Sequence, residues 1–264
     1  MDHLKLVNMC ASHIDNKARL MCLDRQIKCL LNQSIRASIY ISMSYEKDMY
    51  DDLNNLIESL KKEKELTIYV HHKTRLSQFQ HYSYIINNSS IHDDSWILFC
   101  DDDDICNTKR NEIYIEQIHK NKNEFIIICD VGQLCILDSS VIEMDESDVN
   151  NYYSNHHVEC MTSKAIEHFM VICRSWIFKK YLYLIDDKML RYTGCDLLWH
   201  SYLTSLPHES FESKSWIYAK MMSPSRLNHA SLDLEFIEEE NMFWEFRRCL
   251  KAKLKEKNLK LYIN

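Results

Sequence analysis

Glycine and proline are nearly missing from this chain: its 264 residues hold only 2 of each. That scarcity leaves no flexible linker and no low-complexity segment. It also excludes the glycine-rich loops with which dinucleotide-binding and P-loop proteins cradle phosphate. Any phosphate must be held in some other way. Long hydrophobic runs are lacking too. No apolar stretch approaches the ~20 residues of a membrane span, and the start Met1-Asp2-His3-Leu4-Lys5 has neither the basic nor the apolar region of a secretory leader. Positive charge is in deficit, with a formal net charge of −7, which argues against a nucleic-acid partner. The 11 cysteines are odd in number, sit mostly inside apolar runs (Cys29, Cys100, Cys129, Cys173) and form no Cys-x-x-Cys pair. A reduced, cytoplasmic protein is the simplest expectation.

What the chain does hold is an apolar run, Trp96 to Cys100, that stops at four consecutive carboxylates, Asp101 to Asp104. Its length and its aromatic content suit a strand buried on both faces, as in the centre of a parallel sheet, and ligand sites of open α/β sheets lie at the carboxyl ends of such strands. Adjacent aspartates repel by roughly 1–3 kcal/mol per close pair at intermediate dielectric, so a shared cation is one reading of the run. A solvated acidic turn whose last Asp caps a helix near Asn107 is the other.

Around this stretch the periodicity predicts a β-α-β-α-β order. It comprises a strand at Leu4 to Cys10, a turn at Ala11 to Asp15, a helix from about Asn16 to Asn32, a strand at Ser38 to Met43, a helix at Met49 to Leu60 and a strand at Leu66 to Val70. A helix near Ser77 to Ile86 leads into the Trp96 strand. After a helix from Asn107 to about Lys120, Phe125 to Cys129 and Leu134 to Leu137 read as a hairpin about Asp130-Val131-Gly132-Gln133, which makes the sheet mixed. The polar stretch Asp138 to Ser163 reads as a loop. Further elements are a strand at Phe169 to Cys173, helices at Ser175 to Tyr183 and Asp196 to Leu206, and one long helix from Leu232. The implied fold is α/β with a mostly parallel central sheet flanked by helices. It divides as 1–231, with a boundary near 106, and a helical extension at 232–264.

The order of these parts resembles the GT-A nucleotide-sugar glycosyltransferases of family 2 over roughly residues 4 to 231. Met9-Cys10-Ala11-Ser12-His13 with Cys29-Leu30-Leu31-Asn32-Gln33-Ser34 is similar to that family's first strand and helix end, and Asp101-Asp102-Asp103-Asp104 to its Asp-x-Asp element. Phe169 to Phe178 resembles the piece before the catalytic loop. Thr193-Gly194-Cys195-Asp196-Leu197-Leu198-Trp199 resembles the "G-E-D-x-x-L" element, and Ser225-Arg226-Leu227-Asn228-His229 the terminal Arg/His segment. One departure is Ser42-Met43-Ser44, where the family usually carries an Asp for the nucleobase.

The resemblance implies inverting sugar transfer from a nucleotide sugar, most simply a UDP-sugar, to a hydroxyl of a glycan or protein. It implies Mn²⁺ or Mg²⁺ held by Asp103 directly, with Asp101 nearer the ribose or sharing the ion, and with His229 as a third ligand whose imidazole favours Mn²⁺. Donor contacts fall to Ala11, Ser12, Ser44, Ser77, Asp101 and Asp102, with Lys73, Arg75 and Arg226 on the diphosphate. Asp196 is the candidate base that takes the acceptor's proton, Gly194 letting the backbone turn sharply ahead of it, although an Asp there also suits a helix cap or first turn. His71-His72 and His156-His157 are poor metal pairs, because adjacent strand residues face opposite ways. The tail from Arg247 carries seven basic residues against one Glu. It could touch an anionic membrane surface peripherally, but the plainer reading packs Phe243, Phe246, Leu250 and Leu254 onto the domain. Two other classes fit the residues: a metal-dependent nucleotidyltransferase, and a non-catalytic sugar-nucleotide or glycan-binding protein.

Overall fold

The computed structural model describes residues 4–71, 75–121, 125–137, 142–156, 161–162, 168–192, 194–222 and 234–256. Its first half alternates as the periodicity implied: β1 (Leu6–Ile14), α1 (Lys17–Leu31), β2 (Ser38–Tyr45), α2 (Tyr50–Leu60), β3 (Leu66–His71), α3 (Gln78–Asn88) and β4 (Trp96–Asp101). Local chemistry sets the helix starts. Asn16 Oδ1 accepts the Arg19 N–H at 2.9 Å to cap α1, and Ser77 opens α3 in a reciprocal capping box with Gln80. β1 lies between β2 and β4 and is parallel to both, while β3 adds in parallel beyond β2.

The second half comprises β5 (Ile105–Cys106), α4 (Arg110–Lys120), β6 (Ile126–Leu137), α5 (Glu146–His156), β7 (Met161–Thr162) and β8 (Val171–Arg174). There follow α6 (Ser175–Leu184), α7 (Asp187–Leu190), α8 (Cys195–Leu203), β9 (Glu209–Glu212), β10 (Tyr218–Met222) and α9 (Leu234–Glu256). The strand order is β3-β2-β1-β4-β8-β6-β10-β5, with β7 and β9 joining at β6. β8 is antiparallel to both β4 and β6, so the sheet becomes mixed there.

β4 is buried on both faces, as its composition implied. Trp96, Leu98 and Cys100 pack with Leu23 and Ile27 of α1, Leu53 of α2 and Tyr114 of α4. Ile97 and Phe99, on the other face, pack with Phe79 and Tyr82 of α3, Phe178 of α6 and Trp199 of α8. Helices therefore cover both sides of the central strands. α9 closes the second layer, with Phe246 and Leu250 buried and Phe243 and Leu254 partly buried against it. Among the described residues no helix is long and apolar enough to cross a membrane.

Several elements differ from the sequence expectation. β1 continues through Ala11 to Ile14 instead of turning, because Ile14 is fully buried and pairs with Tyr45; the polar Ser12 and His13 read as a turn. The expected hairpin is one strand, β6, whose register shifts on either side of Val131 as it bends from its β8 and β9 partners toward β10. A Cβ on Gly132 would meet Cys129 Sγ at 2.8 Å and Ile217 Cγ1 at 3.0 Å, so this glycine serves close approach, not a turn. The expected loop at 138–163 contains α5, opened by reciprocal backbone-to-carboxylate bonds between Asp145 and Asp148 and anchored by buried Val149; its polar composition hid it. β5, β9 and β10 had no counterpart in the sequence reading, and the strand expected at Phe169 begins at Val171, after a 3₁₀ turn at His168–Met170.

The packing of α9 is testable. Phe246→Ala should cost about 3–5 kcal/mol, the usual loss for a deleted core aromatic. Trp244→Ala, on the exposed side of α9, should stay within about 0.5 kcal/mol of wild type. Equilibrium denaturant unfolding measures both, and equal losses would show that α9 packs by a different face.

Candidate active site

Because β1, β2 and β4 run parallel, their carboxyl ends open on one edge, where Ala11 lies opposite Ser42 on one side and Asp101 on the other. A cleft of about 590 Å³ sits there. Ala11 and Ser12 of β1 and Asp101 to Asp103 line its base; Arg75, Ser77 and Gln78 approach from the start of α3, His168 and Lys220 from the second half, and Asp196 from the first turn of α8. A second cleft of about 360 Å³ adjoins it and shares His13, Arg19, Arg75 and Asp103.

The acidic run is not a solvated turn. Asp102 is 1% exposed and Asp104 2% exposed. Regular strand geometry ends at Asp101, so the side chains of Asp102 to Asp104 are not placed by strand alternation. Arg19 from the first turn of α1 forks over the next two carboxylates, with Nε and Nη2 on Asp102 at 2.8 and 2.5 Å and Nη1 on Asp103 at 2.7 Å. Ser12 also donates to Asp102. Asp104 accepts the Met221 N–H of β10 at 2.8 Å and caps no helix. Asp101 Oδ1 receives Gln78 Nε2 at 2.5 Å and pairs with His168 Nε2 at 3.0 Å.

These surroundings separate the four groups electrostatically. Burial works against ionising Asp101, but His168, Lys220 and Arg19 outweigh it and hold the carboxyl below its usual range. Burial pushes Asp102 up to about 7 against the pull of Arg19. Asp104 rises well above the ordinary carboxylate range through burial and then through Asp103 and Asp101.

Behind the far wall runs a chain of hydrogen bonds: Glu46 to His13 Nε2 (3.2 Å), His13 Nδ1 to Ser44 (2.9 Å), Ser44 to His81 Nε2 (3.2 Å), His81 Nδ1 to Ser42 (2.8 Å) and Ser42 to His71 Nε2 (2.8 Å). Burial, then His71 and His13, lower His81 to about 3, so this imidazole stays neutral. The serines at the end of β2 thus orient a histidine wall.

Of the residues singled out from sequence, Ala11, Ser12, Arg75, Ser77, Asp101, Asp102, Asp103 and Asp196 line the one cleft. Ser44 is fully buried one layer behind it, holding His13 and His81. Lys73, Arg226 and His229 lie outside the described residues. Asp196 occupies the first turn of α8 and is not its cap; Gly194 holds the cap position. Gly194 has φ −89°, an ordinary value, so the sharp turn expected of it is not what requires glycine. A Cβ there would meet the Tyr192 ring at 2.9 Å. Sequence reasoning missed Arg19, His168 and Lys220. Arg19 carried a signal, since it follows the capping Asn16 by one turn at the mouth of β1, whereas Lys220 lay on an unrecognised strand.

Among the described residues no three His, Cys, Asp or Glu side chains form a ready metal shell. Asp101 and Asp103 nonetheless bring hard carboxylate oxygens to the cleft, and Asp103 keeps part of its side chain exposed. That donor set fits a divalent ion that completes its shell with water and substrate phosphates.

No protein-family model matches the chain, and no curated protein matches it significantly. Solved structures do share its fold. S. aureus TarS 1-349 in complex with UDP-GlcNAc superposes with a TM-score of 0.59 at 10% identity, covering 95% of this chain and 66% of that one. S. aureus TarS itself gives 0.56 at 9% identity over 85% of this chain and 38% of the other. A cytidylyltransferase from Leptospira borgpetersenii gives 0.50 at 8% identity over 80% and 77%. The chain thus spans well under half of that TarS structure's length, and about two thirds of the 1-349 fragment. The architecture is of the GT-A type, a mostly parallel curled sheet flanked by helices.

The Arg19 fork makes a pH-dependent prediction. Arg19→Leu leaves the buried Asp102 without its counter-charge and should cost about 3–5 kcal/mol near pH 8. Asp102 has a folded value above its unfolded one, so its neutral form is favoured in the native state and the need for Arg19 arises only as pH rises through about 7. The loss should therefore shrink near pH 5. Denaturant unfolding at the two pH values decides, and an equal loss at both would contradict this assignment.

Proposed function

We propose that the chain is an inverting, family 2 type glycosyltransferase that moves a sugar from a UDP-sugar to a hydroxyl of a glycan or protein. The observation that supports this best is a single cleft lined by the acidic loop, by Asp196 at a helix start, and by Arg19, Arg75, His168 and Lys220. Transfer needs a departing diphosphate to be neutralised and an acceptor hydroxyl to lose its proton as it attacks the anomeric carbon. Arg75 is exposed, and its fork suits phosphate oxygens; Lys220 adds a point charge, and Lys73 and Arg226 join them in this reading. Ala11, Ser12 and Ser77 face the donor, while Ser44 acts through His13. Asp196 takes the acceptor's proton, and a single displacement then inverts the anomeric centre. A divalent ion, Mn²⁺ or Mg²⁺, held by Asp101, Asp103 and His229, supplies further neutralisation of the diphosphate when bound. The structural likeness to S. aureus TarS 1-349, crystallised with UDP and with UDP-GlcNAc, supports the choice of a UDP-sugar.

The cytidylyltransferase likeness favours a second reading, nucleotidyl transfer with release of pyrophosphate. The near absence of glycine counts against it, since backbone wrapping of a triphosphate uses glycine. Pyrophosphate release from a nucleoside triphosphate and a sugar phosphate, without transfer from a UDP-sugar, would establish that activity instead.

Two substitutions test the roles. Asp196→Asn should reduce turnover by about 10²–10⁴-fold, the range for a lost general base, with donor affinity unchanged. Nucleotide release and donor affinity are measured on the same preparation, and normal turnover would leave Asp196 as a first-turn residue only. Asp103→Asn should abolish Mn²⁺-dependent donor binding while the melting temperature of the metal-free protein changes little, because relieved carboxylate repulsion offsets the lost charge pairing with Arg19. Undiminished binding to this variant would remove Asp103 from the metal site.

A further inference from the structure

Beneath the acidic loop lies a buried cation that pairs with no carboxylate among the described residues. Arg110, at the start of α4, is fully buried. Its Nη2 donates to the Phe99 and Phe169 carbonyls at 2.7 and 2.9 Å, and its Nη1 points at the sulfurs of Cys100 and Cys106 at 3.0 and 3.4 Å. Its guanidinium carbon lies 5.4 Å from the Tyr218 ring centre. Among the described residues, the ionisable groups that act on it most strongly are Cys106, Cys100, Tyr114 and Tyr218. A guanidinium held out of water without a counter-charge is strongly disfavoured, and these groups are the described ones placed to supply it.

The donors converge on one sulfur. Cys106 Sγ receives Gln26 Nε2 at 3.3 Å and Arg110 Nη1 at 3.4 Å, whereas among the described residues Cys100 Sγ receives Arg110 alone. A neutral thiol is a weak acceptor, and two N–H donors on one buried sulfur, one of them charged, are an arrangement suited to an anion. We propose that Cys106 is a thiolate, the internal counter-ion of Arg110, and that this ion pair positions the acidic loop. Cys100 and Cys106 bracket Asp101 to Asp104 in the chain, and the Phe169 carbonyl follows His168, which holds Asp101. One guanidinium thus ties both ends of the loop to the turn that carries its histidine.

The neighbouring titratable groups do not compete for the charge. Cys10 on β1, Cys29 on α1, Cys100 on β4, Tyr114 on α4 and Tyr218 on β10 all face Cys106, and burial raises each of them. For Cys106 burial is outweighed by Cys100, Arg110 and Gln26, which bring it down to about 7. A depressed folded value stabilises the native state above the unfolded thiol value, about 8.5, and that stability is lost as pH falls through about 7.

The test is the pH dependence of ultraviolet thiolate absorbance and of melting temperature, in a Cys249→Ser background that removes an exposed thiol. The native protein should show a thiolate step centred near pH 7 that Cys106→Ser lacks. The melting-temperature gap between the two proteins should widen from about pH 6 to about pH 9, which loss of packing alone would not produce. A step that persists in Cys106→Ser, or a gap that is flat with pH, overturns the proposal. Should Cys106→Ser fail to fold, the background protein decides by itself: a native step near 7 supports the thiolate, and no step below about 8.5 overturns it.

Discussion

Carboxylates at the end of a buried strand are tolerable only when something takes up their charge, and the arrangement of this cleft follows from how that is done. Arg19 places its guanidinium across Asp102 and Asp103, while Asp101 and Asp104 find His168 and a backbone N–H. The partners come from α1, β10 and the turn before β8, so closing the loop brings together distant parts of the chain. Charge compensation is thus also a constraint on topology. The parallel strands β1 and β4 supply the edge, and the second half folds back to supply His168, Lys220 and the Met221 amide.

Each of these groups bears on the cleft as well as on the fold. Arg19 stands where the two adjoining clefts meet, and Asp103 is shared by both. Within the histidine wall, burial holds His81 neutral. Charge is therefore concentrated at the acidic loop and its cations, and Asp196 stands among them at the start of a separate helix. In the proposed reaction that distribution puts diphosphate neutralisation and proton removal in the same space.

Much of this was legible in the sequence where local rules and tertiary need agree. The apolar face of α1, its Asn16 cap and the unbroken apolar run of β4 define those elements on their own, and the acidic end of β4 pointed to the cleft. Reading failed where a polar composition served a tertiary purpose. Ser12 and His13 are strand residues that face the site, Asp145 and Asp148 open a helix of few apolar residues, and Asp130 to Gln133 mark a bend inside β6. His168 and Lys220 carry no local pattern, because only long-range packing brings them to Asp101. Arg110 was invisible for the same reason, since its partners are two cysteines and two carbonyls in other elements.

The central claim is that this cleft binds a sugar nucleotide through its diphosphate. Isothermal titration of the intact protein with UDP-, GDP- and dTDP-sugars, each with and without Mn²⁺, tests it most directly. The account predicts saturable binding of a UDP-sugar that strengthens when Mn²⁺ is present. Heats indistinguishable from dilution for every sugar nucleotide under both conditions would contradict it.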